Sequence, residues 1–326
     1  MNTSKRLLLV VASLALCTVL AMVASLSVGS VELPFADVMA GLINPTSPSA
    51  LVVQELRLPR TLAAFACGGL LALAGALMQV LLRNPLADPY ILGISGGAGV
   101  GALFALFFGF GVASLNGFAF TGALLAILIV FGLAHGDGSW TQTRLILTGV
   151  MVAAGCGAMI TMLLSIAPEE RLRGMLFWLM GDFSQGVNPS VALIVLGVIG
   201  LLTAPLVRDL NVMIRGNDTA KALGVSVGFV RAAVYLLASM ATAASVTTAG
   251  SVGFVGLVIP HLTRILVGND QRVLLPTSIL AGGMFLVLAD TLARIVVAPQ
   301  QLPVGVVTAL IGVPVFLYLL NRTRYQ

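Results

Sequence analysis

Charged side chains are scarce in this chain of 326 residues. They make up 9% of the sequence, whereas an ordinary soluble domain carries about 25%. Hydrophobic residues make up 59%, and the mean hydropathy is +1.07. A soluble protein of this composition could not cover its surface with polar groups. The composition therefore excludes a soluble domain and predicts an integral membrane protein.

Residues that carry chemistry are also rare. Neither lysine, Lys5 or Lys221, follows a glycine, so the chain lacks a P-loop for ATP. The three cysteines lie in apolar segments and form no CxxC pair, and the only histidines are His135 and His261. We therefore predict no metal site, no cofactor and no ATP hydrolysis by this chain. The net charge of +5 is interpreted as membrane topology rather than as a nucleic-acid surface.

Long apolar runs recur along the sequence. A spanning helix needs about 20 apolar residues at a rise of about 1.5 Å each. The sequence predicts ten spans, the eighth of them short, at residues 7–28, 61–82, 90–112, 118–135, 144–166, 189–207, 228–248, 256–268, 274–296 and 304–320. Segment 33–56, which contains three prolines, is interpreted as an interfacial excursion. The predicted fold class is an all-α membrane protein, with about ten transmembrane helices in one bundle and a single domain over residues 1–326.

Basic residues predict the orientation of the bundle. Twelve of the 17 Lys and Arg residues fall on the side of the two termini, and five fall on the other side. Because cytoplasmic loops collect Lys and Arg, both termini are predicted to be cytoplasmic. The segment RNPLADP (83–89) and the loop 208–227 then lie inside the cell. In that loop Asp218 or Thr219 can cap a short helix and Gly224 can end it, and this helix would meet lipid headgroups or a partner protein.

Two other classes of function were weighed on the residues. The sequence GISG (93–96) matches the GxSG of rhomboid-type intramembrane serine proteases, with His261 as a candidate base, but in a chain this rich in glycine a helix-packing face is the favoured explanation. An ion-coupled secondary transporter usually needs an ionisable or polar cluster near the membrane midplane. Here Asp290 and Arg294, one helical turn apart, can neutralise each other, and no span centre carries an acid. Uphill transport would therefore take its energy from another chain.

Five long motifs occur in order along the chain. They include RLPRTLAAFACGGLLALAGALMQVLLRNPLADP and GSVGFVGLVIPHLTR, and they cover residues 57–102, 177–183, 216–225, 250–264 and 288–320. The chain resembles the FecCD/BtuC-type permeases of bacterial ABC importers, which carry iron chelates (siderophores or haem) or cobalamin. The resemblance implies a multi-pass homodimer in the inner (plasma) membrane, with ten helices per subunit. It also implies two cytoplasmic ABC ATPase subunits and a periplasmic or extracellular substrate-binding protein, in a transport subunit that is not itself an enzyme and binds no nucleic acid.

The resemblance also implies roles for particular residues. Asn84 and Leu86 in RNPLADP, with Gln142 and Thr143 before the fifth span, match the cytoplasmic gate. The two prolines of RNPLADP are expected to hold a tight turn that Asn84 stabilises with a hydrogen bond, and an ordinary connecting loop is the alternative.

The loop 208–227 matches the segment that couples to the ATPase, the alternative being a helix on lipid headgroups. The coupling residues are Asn217, Asp218, Thr219, Ala220, Lys221, Ala222, Leu223 and Gly224.

Outward-facing arginines are the third implied site. The resemblance implies that Arg57, Arg60 and Arg294 occupy positions that receive acidic residues of the docking protein. Arginine suits this role because it forms bidentate contacts with carboxylates. Anchoring to lipid headgroups is the alternative. The sequence departs from the family at Gln301, where a glutamate is usual before Leu-Pro-x-Gly, so a pairing between that glutamate and a cation would be lost. The resemblance leaves the cargo open among siderophores, haem and cobalamin.

Overall fold

The computed structural model describes residues 3–29, 33–134, 142–184 and 188–323, and within these ranges the protein contains helices and no strand. In chain order the α-helices are α1 (Thr3–Ser27), α2 (Phe35–Ile43), α3 (Leu58–Leu81), α4 (Ile94–Phe108), α5 (Val112–Ala134), α6 (Gln142–Ile166), α7 (Glu169–Met180), α8 (Pro189–Thr203), α9 (Val207–Met213), α10 (Asn217–Ala222), α11 (Val227–Ala249), α12 (Val255–Val267), α13 (Gln271–Ile295) and α14 (Val304–Thr323).

The helices confirm the predicted fold class. Eight described stretches are long and apolar enough to cross a bilayer, and α4 and α12 are shorter apolar helices. Together they follow the order of the ten predicted spans, and the eighth, α12, has only 13 residues. Several boundaries differ from the predictions. A π-helical segment, Leu51–Arg57, leads directly into α3, and the sixth span continues through α9 to Met213.

The third span is shorter than the predicted 90–112. A 3₁₀ turn, Pro89–Leu92, begins at the last residue of RNPLADP, and α4 then covers only 15 residues. Gly93 and Gly109 bound this helix with φ of 72° and 74°, a left-handed conformation that glycine adopts without a steric penalty. The helix is therefore limited at both ends by backbone geometry rather than by a loss of apolar character.

Helix α3 forms the centre of the bundle. It is buried almost throughout and packs against α8, α11, α12 and α13. At Gly75 an added Cβ would lie 1.8 Å from the carbonyl oxygen of Gly256 in α12, and at Gly68 it would lie 2.2 Å from that of Gly282 in α13. Helix backbones therefore touch at these points, which is the packing that small residues allow between membrane helices.

Helix α6 lies at the opposite extreme of burial. Only 11% of the residues in its most apolar part are buried. Large side chains such as Leu147, Met151, Met159 and Met162 are exposed along it. An apolar helix with so little contact to its own chain must pack against lipid or against another protein chain.

Candidate functional site

RNPLADP forms a compact turn at the end of α3. Arg83 has a φ of 47°, which reverses the chain direction directly after the helix. The Asn84 side-chain oxygen accepts a hydrogen bond from the Leu86 N–H at 2.9 Å, so the asparagine bonds the turn as the sequence predicts. Leu86 is half-buried and Asn84 is exposed. The turn is therefore rigid in its backbone and presents these two side chains at the end of the bundle; their gating role stays a prediction.

The second half of this turn is fixed to the rest of the bundle. The Asp88 side chain accepts a hydrogen bond from the Tyr90 N–H at 2.8 Å, and burial raises the pKa of Asp88 to about 6. The Tyr90 hydroxyl donates to the carbonyl of Val252 and accepts from its N–H, both at 3.0 Å. Helix α6 closes over the turn at Gly149, where an added Cβ would lie 2.3 Å from the carbonyl oxygen of Ile91. A displacement of the turn would therefore be transmitted directly to α6.

The predicted coupling segment contains two short helices, α9 and α10. Gly224 ends α10 with a φ of 79°, and the Val225 N–H donates to the Ala220 carbonyl at 2.9 Å, which confirms the predicted stop. The predicted start is wrong. Helix α10 begins at Asn217 after Gly216, with no side-chain cap at its start. Of the eight predicted coupling residues, Ala220 is buried, Asn217 is half-buried and the remaining six are exposed.

RNPLADP and the coupling segment approach each other at Arg83. Its Nη2 atom would lie 3.9 Å from a Cβ added to Gly216, immediately before α10. The second predicted gate element lies at the start of α6, where Thr143 is exposed; the side chain of Gln142 is outside the described residues, as is His135. The structure thus brings RNPLADP next to the coupling segment on one side and next to α6 on the other.

Two of the three predicted docking arginines, Arg60 and Arg294, contact one carboxylate, that of Asp290. The Nε of Arg60 lies 3.0 Å from both carboxylate oxygens of Asp290, and its Nη2 lies 2.8 Å from Oδ1. Arg294, one turn after Asp290, places its Nε at 3.3 Å from Oδ2. Asp290 is only 1% exposed. This bidentate and shared geometry is the strong form of a charge-assisted contact.

The outward orientation predicted for these arginines is wrong for two of them. Arg57 and Arg294 are 7% and 6% exposed. Arg57 donates to the carbonyls at the end of α1, Leu26 at 2.7 Å and Ser27 at 3.0 Å, and Arg294 donates to Ser25 Oγ at 2.8 Å. Carbonyl groups at the end of a helix lack intrahelical partners, so they attract these cations into the bundle.

Gln301 contacts one of the three arginines. Its side-chain oxygen accepts a hydrogen bond from Arg60 Nη1 at 2.8 Å. This position therefore bonds a cation, although the glutamine carries no charge. Arg57, Arg60, Arg294 and Gln301 line an open cavity of about 690 Å³, and Glu55 is the one acid among the described residues of its lining.

Comparison with known proteins decides the family. The model of the FecCD transport family matches residues 17–322. The chain belongs to the FecCD transport family. It is 39% identical over 318 residues to an uncharacterized ABC transporter permease, YvrB, of Bacillus subtilis, covering 91% of this chain and 89% of that one. It is 42% identical over 276 residues to the cobalamin import system permease BtuC of Halobacterium salinarum, covering 83% and 73% of the two chains.

A solved structure agrees with this membership. A chain from an ABC transporter assigned to the metal-chelate type, in an inward-facing conformation, superposes with a TM-score of 0.83 at 32% identity, covering 98% of this chain and 99% of that one. The FecCD membership makes the chain a transport subunit and not an enzyme, since the family leaves ATP hydrolysis to separate subunits.

The protease interpretation is wrong on geometry as well as on family. Ser95 donates its hydroxyl hydrogen bond to Ser251 Oγ at 2.9 Å, and no hydrogen bond joins it to His261 within the described ranges. In the same motif, the Cβ that Gly96 lacks would lie 2.8 Å from Cys156 of α6, so the glycines serve helix packing. The described residues also hold no group of three or more metal-ligating His, Cys, Asp or Glu side chains.

Proposed function

We propose that this chain is the permease subunit of an ATP-driven importer that carries an iron chelate (siderophore or haem) or cobalamin across the inner membrane. Two copies would form the transport path, two cytoplasmic ABC ATPases would drive it, and a binding protein would deliver the cargo from outside. The similarity to a cobalamin import permease and to a metal-chelate type transporter supports this class of cargo.

One arrangement supports the proposal: RNPLADP lies beside the coupling segment, and the 3₁₀ turn that continues it packs on α6. The Arg83 guanidinium lies near Gly216, before α10, and Ile91 of the 3₁₀ turn packs on Gly149 of α6. An ATPase that pushes on the exposed residues of α10 would move the turn through the first contact. The turn would then move α6 through the second, because close-packed backbones transmit displacement rather than absorb it. This is the connection that an ATP-driven gate needs.

The proposed gate consists of Asn84 and Leu86 with Gln142 and Thr143. The hydrogen bond from Leu86 to Asn84 fixes the turn, so that Leu86 can close the path as a rigid apolar plug. Helix α6, with its exposed apolar face, is the candidate surface for the second subunit and for the path between the two copies.

Docking at the outer end is proposed for the arginine cluster around Asp290. Arg60 is the most accessible of the three, with a side chain that is 13% exposed, against 7% for Arg294. An acidic side chain of the binding protein that enters the cavity would compete with Asp290 for Arg60. Docking would then loosen the contact between α3 and α13, which Arg60 and Asp290 join.

Reconstituted transport tests the proposal. The chain is placed in liposomes with the ATPase and the binding protein encoded beside it, and the uptake of radiolabelled cobalamin, ferric siderophore and haem is measured. We expect accumulation of one cargo class that requires ATP and all three components. Accumulation driven by a proton or sodium gradient without the ATPase would instead identify a secondary transporter.

A variant pair tests the coupling segment in the same liposomes. Gly224→Val places a β-branched residue at a φ of 79°, which costs about 1–3 kcal/mol of local strain. We expect ATP hydrolysis that cargo-loaded binding protein no longer stimulates. Gly228→Val, four residues later, meets open space and keeps an ordinary φ, so it serves as the matched control. Equal stimulation in both variants would exclude the coupling role.

A further inference from the structure

A second cavity lies where α8, α9 and α13 meet α3. Its volume is about 460 Å³, and its lining includes Arg208, Arg272, Leu73, Leu275, Ile279 and Gly200. It belongs to neither the proposed gate nor the arginine cluster around Asp290. The lining is charged at one end and apolar over the rest, and this division suggests the chemistry of its occupant.

The charged end contains Arg208 and Arg272. Both are exposed, and neither forms an ion pair with an acid of the described ranges. Arg208 lies near the end of the span Pro189–Met213, and Arg272 is the second residue of the span Gln271–Ile295. Both guanidinium groups therefore belong to the membrane–water interface.

A polar clamp holds this end of the cavity together. The Asn211 amide donates to Asp270 at 2.8 Å, and its oxygen accepts from the Gln271 N–H at 2.8 Å. Asp270 Oδ1 also accepts from the backbone N–H of Arg272 at 3.0 Å, so one oxygen of this carboxylate receives both hydrogen bonds. The clamp fixes α9 against the start of α13, and with them the two arginines.

Gln271 carries an unpaired acceptor at the same place. The residue is 0% exposed and lines the cavity. Its Nε2 donates to the Asn269 carbonyl at 3.1 Å, which determines the orientation of the amide. Its Oε1 is buried and has no partner among the described residues. A buried acceptor of this kind needs an O–H or N–H donor.

The rest of the lining is apolar and extends into the spans. Ile279 lies eight residues after Gln271, which is about 12 Å along the helix. Leu73 of the central helix and Leu275 lie beside it. At Gly200 an added Cβ would meet nothing within 4 Å, so α8 leaves open space there. The apolar part is therefore continuous with the hydrocarbon layer of the membrane.

We propose that this cavity binds an anionic phospholipid with a hydroxyl-bearing headgroup, of the phosphatidylglycerol type. The phosphate lies between Arg208 and Arg272, since basic pockets at the ends of membrane helices bind anionic headgroups. A headgroup hydroxyl donates to Gln271 Oε1, and an acyl chain packs along Leu73 and Ile279. A soluble anion would match the charged end and leave the apolar part unfilled.

Lipid binding to the purified full-length protein in detergent tests the proposal. Native mass spectrometry and thermal unfolding are measured with phosphatidylglycerol, phosphatidylcholine, glycerol phosphate and inorganic phosphate. We expect phosphatidylglycerol alone to bind and to raise the unfolding temperature. Removing both charges with Arg208→Gln and Arg272→Gln should weaken that binding about 30-fold. Equal stabilisation by glycerol phosphate or inorganic phosphate would overturn the lipid assignment.

A glycine pair separates a specific cavity from the general lipid shell. Gly200→Leu fills the open space of the cavity and keeps both arginines, so it should abolish the preference for phosphatidylglycerol. Gly197→Leu, one turn earlier on α8, also meets open space but lies outside the cavity, and it should bind like the unaltered protein. Both variants should unfold at the same temperature without lipid. Equal binding of phosphatidylglycerol by both variants would overturn the proposal.

Discussion

The Asp290 carboxylate makes a strong prediction about stability. Asp290→Asn keeps the shape of the side chain and removes the one negative charge of the described ranges that contacts Arg60 and Arg294. Removing one partner of a buried ion pair leaves the other charge uncompensated and costs about 3–5 kcal/mol. Because Asp290 is 1% exposed and contacts two guanidinium groups, we expect a loss within that range, measured as the free energy of unfolding in mixed micelles.

A control and a rescue define this prediction. Asp37→Asn removes an exposed acid from α2, outside the cluster, and should change stability by less than about 0.5 kcal/mol. Adding Gln301→Glu to Asp290→Asn gives Arg60 a new carboxylate partner at an exposed position and should restore about 0.2–1 kcal/mol. A loss no larger than that of Asp37→Asn would refute the reasoning, since it would mean that the arginines do not depend on Asp290.

Three further predictions concern the core and the RNPLADP turn. Gly75→Ala should cost at least about 1–3 kcal/mol or prevent folding, because its Cβ would lie 1.8 Å from a carbonyl oxygen of α12, whereas Gly197→Ala should fold normally. Burial raises the pKa of Asp88 to about 6, so ionisation of Asp88 costs stability as the pH rises from about 4 to about 6. Asp88→Asn should therefore be more stable than the unaltered protein above pH about 6, by at most about 3 kcal/mol, and should lose this pH dependence in unfolding titrations. Leu86→Cys, with the native cysteines removed, should form an intersubunit disulfide that depends on nucleotide and blocks transport, and its absence in every nucleotide state would exclude the gate.

The sequence predicted the order of the spans because apolar length is a local property. It predicted the boundaries of a span less well where backbone geometry, rather than a change in hydropathy, ends the helix. Gly93 and Gly109 stop α4 inside an apolar run, and α8 continues through a 3₁₀ turn into α9 although Arg208 and Asp209 look like a loop. Helix α7, with four charges in its first five residues, was not predicted at all. Hydropathy reports the solvent a segment prefers, and it carries little information on φ angles or caps.

Side-chain patterns in the sequence predicted contacts between residues that lie close together along the chain, and not contacts between distant ones. The bond within the RNPLADP turn and the stop at Gly224 involve residues a few positions apart, and the sequence predicted both. The contact of Asp290 with Arg294 was also visible, because the two lie one helical turn apart. The closer partner of Asp290 is Arg60, 230 residues away, and no local pattern could find it.

That distant contact changes the interpretation of the outer arginines. A scarce charge in an apolar chain is either functional or paired, and the family resemblance favoured a docking function for all three arginines. In the folded chain Arg57 and Arg294 are held by α1 carbonyls, and Arg294 also by Asp290, so their removal would first disturb the packing of α1, α3 and α13. A docking experiment on these positions therefore needs stability measured beside affinity. Of the three, Arg60, at the rim of the outer cavity, is the guanidinium that a partner can reach most easily without unfolding the end of the bundle.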